Sequence, residues 1–199
     1  MSDKPLIYLA SASPRRRELL GQIGIPFERI ACEIDETPLP GEAARPYVER
    51  LARAKAAAGI AAAQAAGLPT RLLLAADTTV ALEGQILGKP IDAADARAML
   101  AQLSGSTHEV LTGVAISDGQ RCEYQLSCSM VRFRQLSAAE IAAYVASGEP
   151  LDKAGSYGAQ GLGAVLIEEI RGSFSGVVGL PLAETVALLQ RFDYPFWPA

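Results

Sequence analysis

The sequence predicts an α/β fold built on a mixed β-sheet, and three observations carry that expectation. Short apolar runs that read as strands alternate with longer stretches of helical spacing along most of the chain. Segments 110–117 and 121–134 turn back on each other around Asp118-Gly119, a hairpin signal that requires an antiparallel pair inside the sheet. Half of the 199 residues (50%) are apolar and 20% are charged, which supplies a substantial core and excludes intrinsic disorder and a collagen-like chain. No repeat, linker or low-complexity tract divides the sequence, so one domain over residues 1–199 is expected.

In chain order, residues 6–10 read as a short buried strand. Ser13 is placed to cap a helix and Pro14 to begin it, with the helical pattern running over 15–23 until Gly24 stops it. Residues 27–32 suggest a second strand, and 34–41, with Pro38, Pro40 and two acids, a loop. The Ala-rich stretch 43–66 reads as a long helix closed by Gly67 and Pro69. Residues 72–76 form a buried strand that ends in Asp77-Thr78, after which the apolar pattern resumes over 79–82. A turn at Gly84-Gln85 leads into 86–90, and 92–103 is a helix with an aspartate cap, stopped by Ser104-Gly105. Beyond the hairpin come a capped helix (137–147), a glycine-rich connection (148–163), a strand (164–170) and a final helix (180–192).

Composition removes several classes of function. Eighteen basic residues against 22 acidic ones give a net charge of −4 with no basic run, which argues against a nucleic-acid partner but leaves small anions open. No apolar stretch approaches the roughly 20 residues of a membrane span, and the amino terminus lacks the pattern of a secretory signal, so a cytoplasmic location without a membrane partner is expected. Cys32, Cys122 and Cys128 are odd in number and match no zinc-ligand spacing, and they read as reduced thiols. His108 is the sole histidine, which excludes a His-rich metal site within one chain. A structural hydrogen-bonding role suits it better than a Ser-His-Asp triad, for which the Gly-x-Ser-x-Gly elbow is also missing.

Four groups of residues can carry chemistry. Ser11, Ser13, Arg15, Arg16 and Arg17 stand at a strand-to-helix junction, where free N–H groups, the helix dipole and guanidinium groups suit a phosphate; the rival reading is a capped surface helix. Asp35-Glu36 lie in the proline-rich loop and Asp77 at the end of an apolar strand, positions from which carboxylates hold a hard cation or activate water, or else cap turns. Lys55 sits on the long helix, where an exposed charge is the simpler reading, whereas Lys89 follows a strand on the rigid loop Gly88-Lys89-Pro90. The glycines of 152–161 can bring backbone close to a ligand, or can simply make turns.

Taken in order, Ser11-Ala12-Ser13-Pro14-Arg15-Arg16, Asp35-Glu36, Lys55, Ala76-Asp77-Thr78, Gly88-Lys89-Pro90, Ser104-Gly105 with His108 and Thr112-Gly113, Asp152-Lys153-Ala154-Gly155 and Val178-Gly179-Leu180-Pro181 resemble the Maf family of nucleoside triphosphate pyrophosphatases. The resemblance spans nearly the whole chain. It implies an elongated mixed sheet flanked by helices, in two lobes around a central cleft, and hydrolysis of a nucleoside triphosphate to monophosphate and pyrophosphate with a divalent cation, Mg²⁺ or Mn²⁺. By position it implies that Ser11, Arg15, Arg16, Lys55 and Lys89 grip the triphosphate. Glu36 and Asp77 would serve the metal, with Asp77 also serving the attacking water.

Arg15, Thr78 and Gln160 match the subgroup that acts on dTTP and UTP; the subgroup that acts on 7-methyl-GTP has tryptophan, glutamine and glutamate there. Removal of modified pyrimidine nucleotides and a link to cell-division arrest belong to the same implication. A nucleotide-sensing regulatory protein that binds without turnover is the alternative. A homodimer is the expected assembly, because twofold dimers are the commonest oligomers.

Overall fold

The computed structural model describes residues 4–197, which form a seven-stranded mixed sheet with helices on both faces. Its elements are β1 (Ile7–Ala10), α1 (Pro14–Gln22), β2 (Phe27–Arg29), α2 (Ala44–Ala65), β3 (Leu73–Leu82), β4 (Gln85–Leu87), α3 (Ala93–Leu103), β5 (Thr107–Ser117), β6 (Cys122–Phe133), α4 (Ala138–Ala146), β7 (Ile167–Arg171), α5 (Phe174–Val178) and α6 (Leu182–Gln190). The main strand order is β2-β1-β3-β5-β6-β7, and β4 pairs with β3 beside β1. Strands β2, β1 and β3 are parallel, and every other pairing is antiparallel. The hairpin is present in full, with β5 and β6 in register from Thr107 opposite Arg132 to Ser117 opposite Cys122.

The core divides as a two-lobed molecule should. One apolar cluster packs Leu188 and Leu189 of α6 with Leu19 and Leu20 of α1 against Ile7, Leu9, Leu74 and Ile116. On the opposite face, Ala52 and Ala56 of α2 meet Tyr8, Leu73, Ala75 and Ala115. A separate cluster gathers Leu100 and Leu103 of α3 and Ile141 and Val145 of α4 over Val80, Val131 and Phe133. Small alanines on α2 and β3 let helix and sheet approach closely, and burial of these side chains outweighs the modest helix propensity of the shorter helices. Among the described residues no helix is long and apolar enough to cross a membrane.

Four expectations need correction. Asp77 does not end a strand: β3 runs unbroken through it, because Asp77 and Thr78 stay in the ladder opposite Gly113 and Thr112 of β5. Residues 164–166, expected as the first half of a strand, belong instead to a 3₁₀ segment over Gly161–Leu166, and pairing with β6 begins only at Ile167 opposite Phe133. The final helix expected over 180–192 is α6, but a short helix that was not expected, α5, precedes it, ended by Gly179 (φ 128°) before Pro181. Ser13 occupies the N-cap position but caps nothing with its side chain; its own N–H donates to Ser11 Oγ at 3.2 Å. Asp92 and Ser137, by contrast, cap α3 and α4, the latter in a complete capping box with Glu140.

His108 is structural. It is buried on β5, its Nε2 shares a 2.8 Å hydrogen bond with Tyr157 Oη, and its ring meets Phe133 and Tyr157 edge-on. Burial pushes its pKa down to about 4, so the folded chain keeps it neutral where the unfolded chain, near 6.5, takes a proton. The unfolded state therefore binds more protons between these values. Stability is fully present above pH 6.5 and declines as pH falls toward 4, by up to about 3 kcal/mol from this group. Urea unfolding at pH 7 and pH 4.5 should show that loss in the native protein and a smaller pH difference in His108→Gln; equal differences would remove His108 as the cause.

Candidate active site

The edge of β3 that faces β1 is left open over four residues. Pairing with β1 ends at Ala10 opposite Ala75, and pairing with β4 begins only at Val80 opposite Leu87. Asp77 and Thr78 occupy this gap. The chain leaving β1 carries Ser11 to Arg16 past it, and the chain leaving β4 carries Gly88-Lys89. Since β1 pairs with β2 on one side and β3 on the other, the gap also lies at the carboxyl ends of parallel strands where strand order reverses, the place where α/β sheets open a crevice. A cleft of about 950 Å³ fills that space. Ser11, Arg15, Arg16, Glu36, Lys55, Asp77, Thr78, Lys89 and Gln160 all line it, whereas Asp35 and Arg17 do not.

Successive residues of a strand point to opposite faces, so Asp77 and Thr78 serve two different groups. On the α2 face, Lys55 Nζ lies 2.7 Å from Asp77 Oδ1 and 2.6 Å from Glu36 Oε1, bridging both carboxylates. The Asp77 side chain is 9% exposed and that of Glu36 45%. The apolar run around Asp77 can hold a charge because Lys55 answers it from the facing helix. Burial would raise the Glu36 carboxyl, but Lys55, Lys89 and Arg16 together hold it below its ordinary value. Its loop is pinned by Tyr47 Oη, which donates to the Glu36 carbonyl at 2.9 Å, and by Arg50 Nη2, which donates to the Thr37 carbonyl at 3.1 Å. Asp35 is spent on its own turn, accepting the Thr37 N–H.

On the other face Arg16 is held at three points: Nε donates to the Gly179 carbonyl (2.7 Å), Nη1 to Ser11 Oγ (3.2 Å) and Nη2 to Thr78 Oγ1 (3.1 Å). Thr112 Oγ1 donates its single proton to the Gly176 carbonyl at 2.8 Å, so in the 2.9 Å contact between the two threonines Thr78 is the donor. A directed chain results, from Arg16 through Thr78 and Thr112 to Gly176. Thr78 has used its proton, which leaves it no hydrogen to offer a base, and its observed work is to orient Arg16. Burial pulls the Arg16 guanidinium below its ordinary value against the raising influence of Asp77 and Glu36.

Lys89 and Gln160 are exposed on the cleft wall, and Arg15 is half-buried there. Two carboxylates joined at one ammonium can equally be joined at one hard cation. Mg²⁺ and Mn²⁺ are commonly held by one or two carboxylates and completed by substrate phosphates and water, so the donor set fits such an ion. Among the described residues no third acid, histidine or cysteine joins them.

Sequence reasoning passed over Gly176 and gave no role to Thr112 and Gly179, although both stand in its motifs; all three complete the chain behind Arg16. It also gave no role to Lys153 or Tyr157 in the cleft wall. The signal for Lys153 and Thr112 alike was their place in the ordered motifs; the local pattern around Gly176 and Tyr157 carried none.

A family profile described as Maf-like protein matches residues 6–192. A dTTP/UTP pyrophosphatase of Aromatoleum aromaticum is 59% identical over 198 residues, covering 95% of this chain and 96% of the relative. Proteins of the same name from Myxococcus xanthus and Escherichia coli are each 54% identical, covering 100% and 94% of this chain and 98% and 93% of their own lengths. The solved Ham1 protein of Staphylococcus aureus superposes with a TM-score of 0.51 at 15% identity, over 95% of this chain and 98% of that one, and shares the fold.

Proposed function

The chain belongs to the Maf family, and from that premise we propose that it hydrolyses dTTP and UTP to the nucleoside monophosphate and pyrophosphate. The observation that carries the reading is the open stretch along the β3 edge, where two carboxylates and several cations meet in one cleft; Cys32 also lines it, but burial pushes its thiol pKa up and the lining holds no histidine to activate it. That inventory suits phosphoanhydride hydrolysis, which depends mainly on charge neutralisation, positioning and activation of water.

In this mechanism Ser11, Arg15, Arg16 and Lys89 hold the triphosphate across the open strand edge. Arg16 retains two unused N–H groups beyond its three protein contacts, and its fixed plane presents them to a phosphate without further ordering cost. Asp77 accepts a proton from water as the water oxygen bonds to the α-phosphorus; the α–β P–O bond breaks and its electron pair leaves with pyrophosphate. Lys55, paired with Asp77 Oδ1 at 2.7 Å, holds that carboxylate in place. A divalent cation held by Glu36 and Asp77 would offset the charge that gathers on the phosphate oxygens.

The test is a panel of dTTP, UTP, GTP and 7-methyl-GTP in ¹⁸O-water, with Mg²⁺ or with excess chelator and products identified by mass. Label in the monophosphate, unlabelled pyrophosphate and loss of turnover in chelator are expected. Orthophosphate as product, or binding without turnover, would reject the reaction, and full activity in chelator would remove the cation.

A further inference from the structure

Gln160 stands on the tip of a tightly closed loop, and the residues that close it lie outside the cleft. The Glu149 carboxylate accepts the Leu162 N–H at Oε2 (2.9 Å), and at Oε1 the Gly163 N–H (2.9 Å) and the Tyr144 hydroxyl (2.9 Å). Tyr144 Oη in turn accepts the Gly158 N–H at 3.2 Å. Backbone donors on both sides of Gln160 are therefore tied to one carboxylate-phenol pair, and neither Glu149 nor Tyr144 is among the residues lining the cleft.

The electrostatics are sound. Gln160 is the residue before the 3₁₀ segment 161–166, whose first N–H groups have no partner within the segment, and an acid from another element supplies one. Those donors and Tyr144, helped by Lys153, hold the Glu149 carboxyl below its ordinary value although burial alone would raise it.

The glycines around the tip fit the same closure. A Cβ on Gly163 would lie 2.3 Å from the Gly158 carbonyl oxygen and 2.6 Å from Tyr144 Oη, and one on Gly161, at φ +74°, 2.7 Å from Glu149 Oε2. The loop can close this far only because those side chains are missing.

We propose that Glu149, acting with Tyr144, is a positioning residue for base selection: it fixes the backbone that presents Gln160 to the pyrimidine and never touches the nucleotide. The proposal rests on Gln160 meeting the base, the role that its match to the dTTP/UTP subgroup and its place on the cleft wall suggest. A side-chain amide discriminates only if its plane is fixed, because a mobile amide can satisfy several donor and acceptor patterns equally well.

The test reads the ratio of kcat/KM for dTTP to that for GTP in the native protein, Gln160→Ala, Glu149→Ala, Glu149→Gln, Tyr144→Phe and the double variant Glu149→Ala/Gln160→Ala. Gln160→Ala should flatten the ratio at least tenfold, and Glu149→Ala should flatten it comparably. Glu149→Gln, which keeps one accepting oxygen, should recover part of it, and Tyr144→Phe should shift it in the same direction. Adding Glu149→Ala to Gln160→Ala should change the ratio no further, an outcome that general loosening of the fold would not give. If Gln160→Ala leaves the ratio intact, the reading of Gln160 fails and the proposal with it. If Gln160→Ala flattens the ratio while Tyr144→Phe and Glu149→Gln both keep it at the native value, only the positioning role is overturned, whether or not Glu149→Ala folds.

Discussion

Asp77→Asn is expected to lower kcat for dTTP by about 10²–10⁴-fold, the range typical for loss of a general base, while the chain still folds. Even the lower figure corresponds to about 2.7 kcal/mol of transition-state stabilisation. The fold should survive because the amide oxygen can still accept from Lys55, and Lys55 keeps its second partner, Glu36. What the amide cannot do is take a proton from water or carry the charge that a cation requires. Removing Lys55 is the informative contrast. Lys55→Ala would leave a nearly buried carboxylate without its cation, the situation that costs several kcal/mol, and should lower Tm along with kcat. The two variants together separate chemistry from support, with kcat and Tm measured on both. Asp77→Asn retaining more than a tenth of native kcat would exclude Asp77 as the base.

That contrast also shows where sequence reasoning reached and where it stopped. Asp77 was conspicuous because a carboxylate inside Leu-Leu-Leu-Ala-Ala-Asp-Thr-Thr-Val is costly without a partner. The partner was not legible. Lys55 lies 22 residues away on an Ala-rich helix, and on local pattern it reads as one more solvated charge, since only the packing of α2 over β3 turns it inward. The same limit explains the error about the strand. Period and composition mark Asp77-Thr78 as a break, but ladder continuity is decided by the neighbouring strand, and β5 pairs with β3 straight through those residues.

Elements with strong local signals, such as the Asp118-Gly119 hairpin and the Asp92 and Ser137 caps, were predictable because their determinants lie within a few residues. The gap between β1 and β4 is a property of three registers at once. No single segment records it. The ordered set of short motifs nonetheless pointed to the same residues, because a cleft assembled from several loops, a helix and a strand leaves one short fragment in each.

The second large effect concerns base choice, where the native chain should favour dTTP and UTP over 7-methyl-GTP by at least a hundredfold in kcat/KM. Uracil and thymine offer an N3–H between two carbonyl acceptors, and the amide of Gln160 can answer with one acceptor and one donor. Guanine offers donors at N1 and N2 that a carboxylate would satisfy better, and the cationic ring of 7-methylguanine is repelled by Arg15 where an indole could stack on it. Each unpaired polar group costs about 1–3 kcal/mol, so two mismatches reach the hundredfold level.

Thr78 contributes differently, through the hydrogen-bond chain that orients Arg16. Thr78→Gln alone, which breaks that chain, should therefore raise KM for every triphosphate by a similar factor and leave base preference near native. Gln160→Glu should weaken dTTP selectively, Arg15→Trp should weaken every triphosphate through the lost phosphate contact but 7-methyl-GTP least, and the triple variant should move the dTTP to 7-methyl-GTP ratio toward the methylated base by two orders of magnitude or more. Steady-state kcat/KM for dTTP, UTP, GTP and 7-methyl-GTP on the single and triple variants decides it. A native preference for 7-methyl-GTP would sink the assignment of Arg15 and Gln160 to the base, as would a triple variant with an unchanged ratio, while a preference change from Thr78→Gln alone would show that Thr78 meets the base after all.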